Sequence, residues 1–181
     1  MDELVRRLKN KEEEGLSALM QLYGDYFFRV ALLLLKDRYE AEEVVQDVFV
    51  TAYEKIDTLL DANKLKSWMT SITINLCRRR LRKWSFRHIF LRKRDEEDID
   101  AVDFTSAEDV VLQIEGDQEL VNHLQALDYQ YREVLTLYYY SSYSVSEVSE
   151  LLNMKENTVK SNLFRGRKLL KERLERERYE R

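Results

Sequence analysis

Proline is absent from this chain of 181 residues, and glycine occurs only four times. Proline breaks helices and glycine supplies many tight turns, so the shortage favours long uninterrupted helices and works against a turn-rich sheet. One cysteine, Cys77, cannot form an internal disulfide, and the two histidines, His88 and His123, do not form a metal-ligand cluster. No metal, cofactor, redox chemistry or small-molecule substrate is expected. Long apolar runs are lacking as well: the longest, Val30 to Leu35, is far short of the roughly 20 residues of a membrane span. The start, Met1 to Lys9, has no signal-peptide pattern. A cytoplasmic protein without membrane insertion is expected.

What is present is apolar residue at helical spacing. Apolar residues make up 44% of the chain, enough to build one ordinary core or two small ones. Leu16, Leu19, Met20, Tyr23, Phe27, Val30, Ala31 and Leu34 recur at steps of three and four, the signature of one buried helix face. Val45, Val48, Phe49, Ala52, Tyr53 and Ile56 give a second helix. Leu65, Trp68, Ile72 and Leu76 begin a third that is expected to run to about Lys83, and Leu4, Val5 and Leu8 suggest a short element before them all. Further along, Leu120, Val121, Leu124 and Leu127 mark one helix and Tyr131, Val134, Leu135 and Tyr138 another. Ser144 followed by Glu147 fits a capping box, Asn153 suits the left-handed residue of a tight turn, and a last helix is expected from about Glu156.

Charge is segregated along the sequence. The net charge is −4, but Arg78 to Arg94 holds nine Lys/Arg and no Asp/Glu, and Asp95 to Asp117 holds ten Asp/Glu and no Lys/Arg. The acidic stretch has too much like charge to fold well alone and reads as a linker. The expected architecture is therefore all-α: two small helical domains, 1–94 and 118–181, joined by an acidic linker, 95–117.

Three surfaces carry chemistry. Two short helices across a tight turn, the second of them basic, form the helix-turn-helix arrangement that places one helix in a DNA major groove. On that last helix Val159, Leu163, Gly166 and Leu170 share a face, leaving Lys160, Ser161, Phe164, Arg165 and Lys168 to point elsewhere; spacing alone fits a solvated basic helix equally well. In the first domain, the cations Arg78, Arg79, Arg80 and Arg82 lie near Trp68 and Asn75, with Trp84, Phe86 and Phe90 beyond. Clustered cations attract a nucleic-acid backbone, and aromatic rings accept unstacked bases; Trp68 by itself reads as a core residue beside Leu65 and Ile72. The third surface, Glu40 to Ile56, has an acidic shoulder of Glu42, Glu43 and Asp47. Paired carboxylates raise a metal or acid-base reading, but no histidine lies nearby and an enzyme is not expected.

The string from Ser144 to Leu170 resembles the minus-35-reading region of bacterial extracytoplasmic-function (group IV) sigma factors, members of the sigma-70 family. The resemblance extends over most of the chain and implies that Lys160, Ser161, Phe164, Arg165 and Lys168 face promoter DNA. The segment around Trp68, Ile72 and Asn75 is similar to the part of these factors that melts and reads the minus-10 element, which implies contacts from Trp68, Asn75, Arg78, Arg79, Arg80 and Arg82. The stretch from Glu40 resembles the motif that docks on the clamp helices of RNA polymerase, which implies Glu43, Gln46, Asp47 and Phe49 as contacts. Departures from the family pattern are Asn162 where an arginine is usual, Asn157 where a glycine is, Lys155 where a serine cap is common, Asp128 where a proline is, and Thr70 where a tyrosine is common. The implied partners are core RNA polymerase, promoter DNA and an anti-sigma factor. The competing reading is a stand-alone helix-turn-helix transcriptional regulator, for which the polymerase-docking motif and a second basic surface have no use.

Overall fold

A computed structural model describes residues 1–91 and 118–180, and among these residues every regular element is helical. The acidic linker and the outer domain boundaries at 94 and 181 lie outside the described residues, as do the side chains of Trp84, Phe86 and Phe90. The N-terminal domain is built from α1 (Asp2–Lys9), α2 (Glu13–Leu35), α3 (Arg38–Lys55) and α4 (Leu65–Leu91), with two short 3-10 turns, Ile56–Thr58 and Ala62–Lys64, before α4. The C-terminal domain comprises α5 (Gln118–Gln125), α6 (Tyr129–Leu135), a π-helical turn (Thr136–Tyr140), α7 (Val145–Leu152) and α8 (Glu156–Glu180).

The expected stripes form the core, with local exceptions. Leu19, Phe27, Val30, Ala31 and Leu34 of α2 are fully buried against Val44, Val48, Phe49 and Ala52 of α3 and Leu65, Met69 and Cys77 of α4. Met20, expected on the same face, is 48% exposed, because a three-four repeat sweeps round the helix and its edge positions leave the contact. Trp68 is half-buried at the margin while its neighbour Met69 takes the core position. The third helix continues to Leu91, past the expected end near Lys83. Nothing in that basic stretch stops it, since it holds neither proline nor glycine.

Four consecutive residues at the end of α2, Leu32 to Leu35, are all buried. A helix covered on one side cannot bury four residues in a row, since they span more than a full turn. Here the C-terminal domain covers the other side, with α5, α6 and the π turn packed on α2. By length and composition α2 would also serve as a membrane span; its apolar C-terminal half, from Val30 to Leu35, is buried in the fold. The helix closes on Lys36 in the left-handed conformation (φ 65°), and Asp37 caps α3 by accepting the Glu40 N–H at 2.9 Å.

Two glycines allow close helix approach. A Cβ on Gly15 would sit 3.0 Å from Cβ of Arg7 in α1, and one on Gly166 of α8 would sit 3.0 Å from Cδ1 of Leu135 and 3.2 Å from Cβ of Tyr131 in α6. Gly166→Leu is expected to cost about 1–3 kcal/mol by overpacking, read as a lower thermal midpoint, whereas Gly24→Leu, where a Cβ meets nothing within 4 Å, leaves packing intact.

Candidate nucleic-acid interfaces

The helix-turn-helix forms as its sequence dictates. The Ser144 hydroxyl accepts the Glu147 N–H at 3.3 Å while the Glu147 carboxylate accepts the Ser144 N–H at 2.8 Å, completing the capping box that starts α7. Asn153 turns the chain in the left-handed conformation (φ 52°, ψ 49°), and the Ser149 hydroxyl donates to the Met154 carbonyl at 2.6 Å across the turn. Val159, Leu163 and Gly166 of α8 are buried against this scaffold. Lys160, Ser161, Phe164, Arg165 and Lys168 are all exposed, Phe164 by 69%. An aromatic ring left in water on a basic helix invites an apolar partner such as a thymine methyl. Lys160 and Lys168 make i,i+4 pairs with Glu156 (3.6 Å) and Glu172 (3.9 Å), weak at a surface and easily exchanged for phosphates. Asn162, the departure at the family's usual arginine, is 8% exposed and turned inward, so it adds nothing to this surface.

The basic cluster of α4 divides in two. Asn75, Arg79 and Arg82 are exposed. Arg80 is held by the acidic shoulder of α3, with Nη1 donating to Glu40 at 3.0 Å and Nη2 to Asp47 at 3.3 Å, and with Glu43 at 3.9 Å. Arg79 also approaches Asp47, at 3.9 Å. The carboxylates expected to face polymerase thus neutralise cations expected to face DNA, because both lie where α3 packs on α4. Phe49, expected as an apolar polymerase contact, is 4% exposed and set edge-on against Phe27 in the core. Of the four expected docking residues Gln46 alone is exposed.

Arg78 is engaged across the domains. Its Nε and Nη2 each donate at 2.8 Å to one oxygen of Glu133, whose side chain is 2% exposed. Beside them Cys77 is buried, and burial pushes its thiol up to about 12. It stays protonated at neutral pH, which removes it as a nucleophile or metal ligand.

Residues 19–86 match the family model Sigma-70 region 2, and residues 117–170 match Sigma-70, region 4. The chain belongs to the sigma-70 family. Within that family this sigma factor is 26% identical over 185 residues to the ECF RNA polymerase sigma factor SigW of Bacillus subtilis, covering 94% of each chain. It is 29% identical over 153 residues to the ECF RNA polymerase sigma factor SigM of the same organism, covering 84% of this chain and 91% of that one. Among solved structures it is similar to the sigma factor RpoE in complex with the anti-sigma factor NepR from Bartonella quintana, with a TM-score of 0.70, 25% identity and coverage of 88% of this chain and 96% of that one. It is an extracytoplasmic-function sigma factor that directs promoter-specific transcription initiation with core RNA polymerase. Sigma factors are not enzymes.

The residues missed by sequence reasoning are Arg132 and Glu133, both buried in α6. Their signal was available: Tyr129, Arg132 and Glu133 fall at i, i+3 and i+4 on α6, and Thr136 at i+7 begins the π turn, a polar stripe beside the apolar one.

The Glu147 carboxyl lies below the usual carboxylate range because the Ser144 hydroxyl and N–H donate to it. A depressed folded-state value contributes stability that is complete above the ordinary glutamate value of about 4.3 and is lost as pH falls through the folded value. Thermal melts of the wild type minus those of Glu147→Gln are expected to show a difference at neutral pH that shrinks below that value. A difference independent of pH contradicts the assignment.

Proposed function

We propose that the two exposed surfaces divide promoter recognition between them: Lys160, Ser161, Phe164, Arg165 and Lys168 of α8 read the minus-35 duplex, and Asn75, Trp68, Arg79 and Arg82 of α4 capture the opened minus-10 strand. The observation that carries this reading is the Phe164 ring, 69% exposed among cations on the second helix of a helix-turn-helix. Arg78 and Arg80 join the minus-10 surface only when released from Glu133 and from the α3 carboxylates. Polymerase docking falls to the exposed edge of α3 at Gln46, flanked by Glu43 and Asp47, while Phe49 supports that helix from beneath. The chain works in the cytoplasm alongside polymerase and has no catalytic role of its own. Regulation by an anti-sigma factor is supported by the structural neighbours, which are sigma factors in complex with the anti-sigma factor NepR and with the cytosolic domain of CnrY.

Run-off transcription with core polymerase on a promoter library tests the whole reading, which requires start sites that appear only when the sigma factor is added. Phe164→Ala and Asn75→Ala are each expected to lower initiation from those promoters by about 5- to 150-fold, as a base-edge contact of about 1–3 kcal/mol implies. Lys160→Ala is expected to weaken binding across sequences and reduce the salt slope by about one.

For docking, Gln46→Ala is expected to weaken association with core polymerase in a pull-down titration while its melting curve overlays the wild type. Phe49→Ala is expected to lose about 3–5 kcal/mol of stability. Normal stability combined with lost docking in Phe49→Ala would contradict its core placement.

A further inference from the structure

We propose that Glu172 and Glu175 are specificity residues of the reading helix: standing in for phosphates, they hold Lys168 and Lys171 and restrain binding to duplex of any sequence, leaving recognition to Ser161, Phe164 and Arg165. This rests on the minus-35 reading of α8 above and adds to it a pair of carboxylates that oppose binding.

The cations of α8 are of two kinds. Three lysines each face a glutamate one turn away on the same helix: Lys160 with Glu156 at 3.6 Å, Lys168 with Glu172 at 3.9 Å and Lys171 with Glu175 at 3.6 Å. Arg165 has Ser161 and Leu169 four residues away and Asn162 and Lys168 three away, so its own helix offers it no carboxylate at pairing distance.

Each residue advances about 100° around the axis, so Lys168, Lys171 and Glu175 fall within about 40° of Phe164 and Glu172 within about 80°. Glu175 lies about 16 Å further along the helix than Phe164. The two carboxylates therefore share the face that carries the exposed ring and are displaced towards the C-terminus. Recognition helices meet base edges with their N-terminal residues; further along, the same face passes the phosphate backbone. Both glutamates are about half-exposed, 48% and 56%, and meet that field through water. The match to region 4 stops at Leu170 whereas α8 continues to Glu180, so both lie beyond the matched motif.

A surface pair of this kind is weak, and exchanging the glutamate for a phosphate costs little. The larger effect follows the exchange. The displaced carboxylate stays within about one Debye length of the backbone, roughly 8 Å at physiological salt, and repels it. An ammonium that binds phosphate releases a condensed cation from DNA; a carboxylate left beside the backbone draws one back and returns part of that gain. Glu156 obstructs less, because it sits in the first turn of α8, where the positive end of the helix dipole offsets it.

The restraint acts unequally on the two kinds of duplex. Sequence-independent binding is almost wholly electrostatic, and the helix is free to shift to wherever its cations meet most phosphates. Once Ser161, Phe164 and Arg165 hold base edges the register is fixed, and the lysines reach only the phosphates that this register offers. Neutralising the glutamates thus favours random duplex over promoter, a loss of specificity through loss of a repulsive element.

Anisotropy titrations of the full chain between about 50 and 200 mM salt compare two duplexes of equal length, one carrying a promoter selected by run-off transcription and the other its shuffled sequence. Glu172→Gln combined with Glu175→Gln is expected to bind the shuffled duplex about three- to tenfold more tightly, to gain less on the promoter, and to steepen the salt slope by about one. Glutamine keeps the helix propensity of glutamate, so the melting curve is expected to overlay the wild type. Glu13→Gln combined with Glu14→Gln makes the same change in net charge at exposed positions of α2 and is expected to leave affinity and slope unchanged. An unaltered affinity and slope for the shuffled duplex in the α8 variant overturns the proposal, as does an equal gain by the α2 variant. Equal gains on promoter and shuffled duplex overturn the role in specificity. Phe164→Ala separates these outcomes from the reading beneath them. If it abolishes promoter preference while the α8 glutamate variant behaves as wild type, the minus-35 reading stands and the restraint fails. If it leaves the preference intact while the glutamate variant still binds more tightly with a steeper slope, the restraint on duplex binding stands and the minus-35 reading fails.

Discussion

One buried guanidinium organises the centre of the molecule. Arg132 donates from Nη1 to the carbonyls of Leu127 and Gln125 at 2.7 and 3.1 Å, and from Nη2 to that of Leu34 at 2.8 Å. These carbonyls lie at the C-terminal ends of α5 and α2, where backbone oxygens lack helical partners and carry the negative end of each helix dipole. One side chain thus answers a requirement in each domain. Burial lowers its pKa, while the nearby Tyr129, Asp128 and Glu133 oppose that shift. The cost of desolvating a cation is offset by three charge-assisted hydrogen bonds, which is why an arginine rather than a lysine suits the site.

The same economy of charge recurs on the surface of region 2. A run of cations on α4 faces a shoulder of carboxylates on α3, and each reduces the field of the other: Arg80 meets Glu40, Glu43 and Asp47, and Arg79 also approaches Asp47. An excess of one sign draws a polyanion from a distance, whereas a neutralised cation contributes only once its partner is displaced. The free sigma factor therefore offers DNA a smaller positive surface than its sequence suggests, in keeping with a net charge of −4. Under the proposed division of promoter recognition, polymerase would join two modest surfaces, each raising the effective concentration of the other.

Much of this was legible in the sequence because it is local. The helices around Leu19, Val48 and Leu163 follow from apolar spacing, and the Ser144–Glu147 cap and the Asn153 turn follow from residue chemistry over a few positions. The exposed residues of α8 were legible for the same reason, since a buried stripe fixes what faces away from it. What escaped was relational. Phe49 matched a docking motif, but nothing in the motif says whether Phe27 will cover the ring. Arg78 was grouped with its neighbours, and its partner lies 55 residues away. The full burial of Leu32 to Leu35 signals a second covering layer only once the helix is known to have the other domain beside it.

The π turn at Thr136–Tyr140, where the Ser141 N–H reaches back to the Thr136 carbonyl at 3.0 Å, carries a consequence for aim. Widening one turn inserts a single residue into the helical count, and each residue of an α-helix advances the chain by about 100°. Wound as an ordinary α-helix, the same residues would leave the turn about 100° further round the α6 axis; the widened turn instead sets Tyr140 over Tyr26. Two proteins with the same residues here, one with this widened turn and one wound as α-helix throughout, would point identical downstream side chains in different directions from the body that carries them. The letters of the reading helix decide what it can recognise, and one backbone turn upstream decides where it looks.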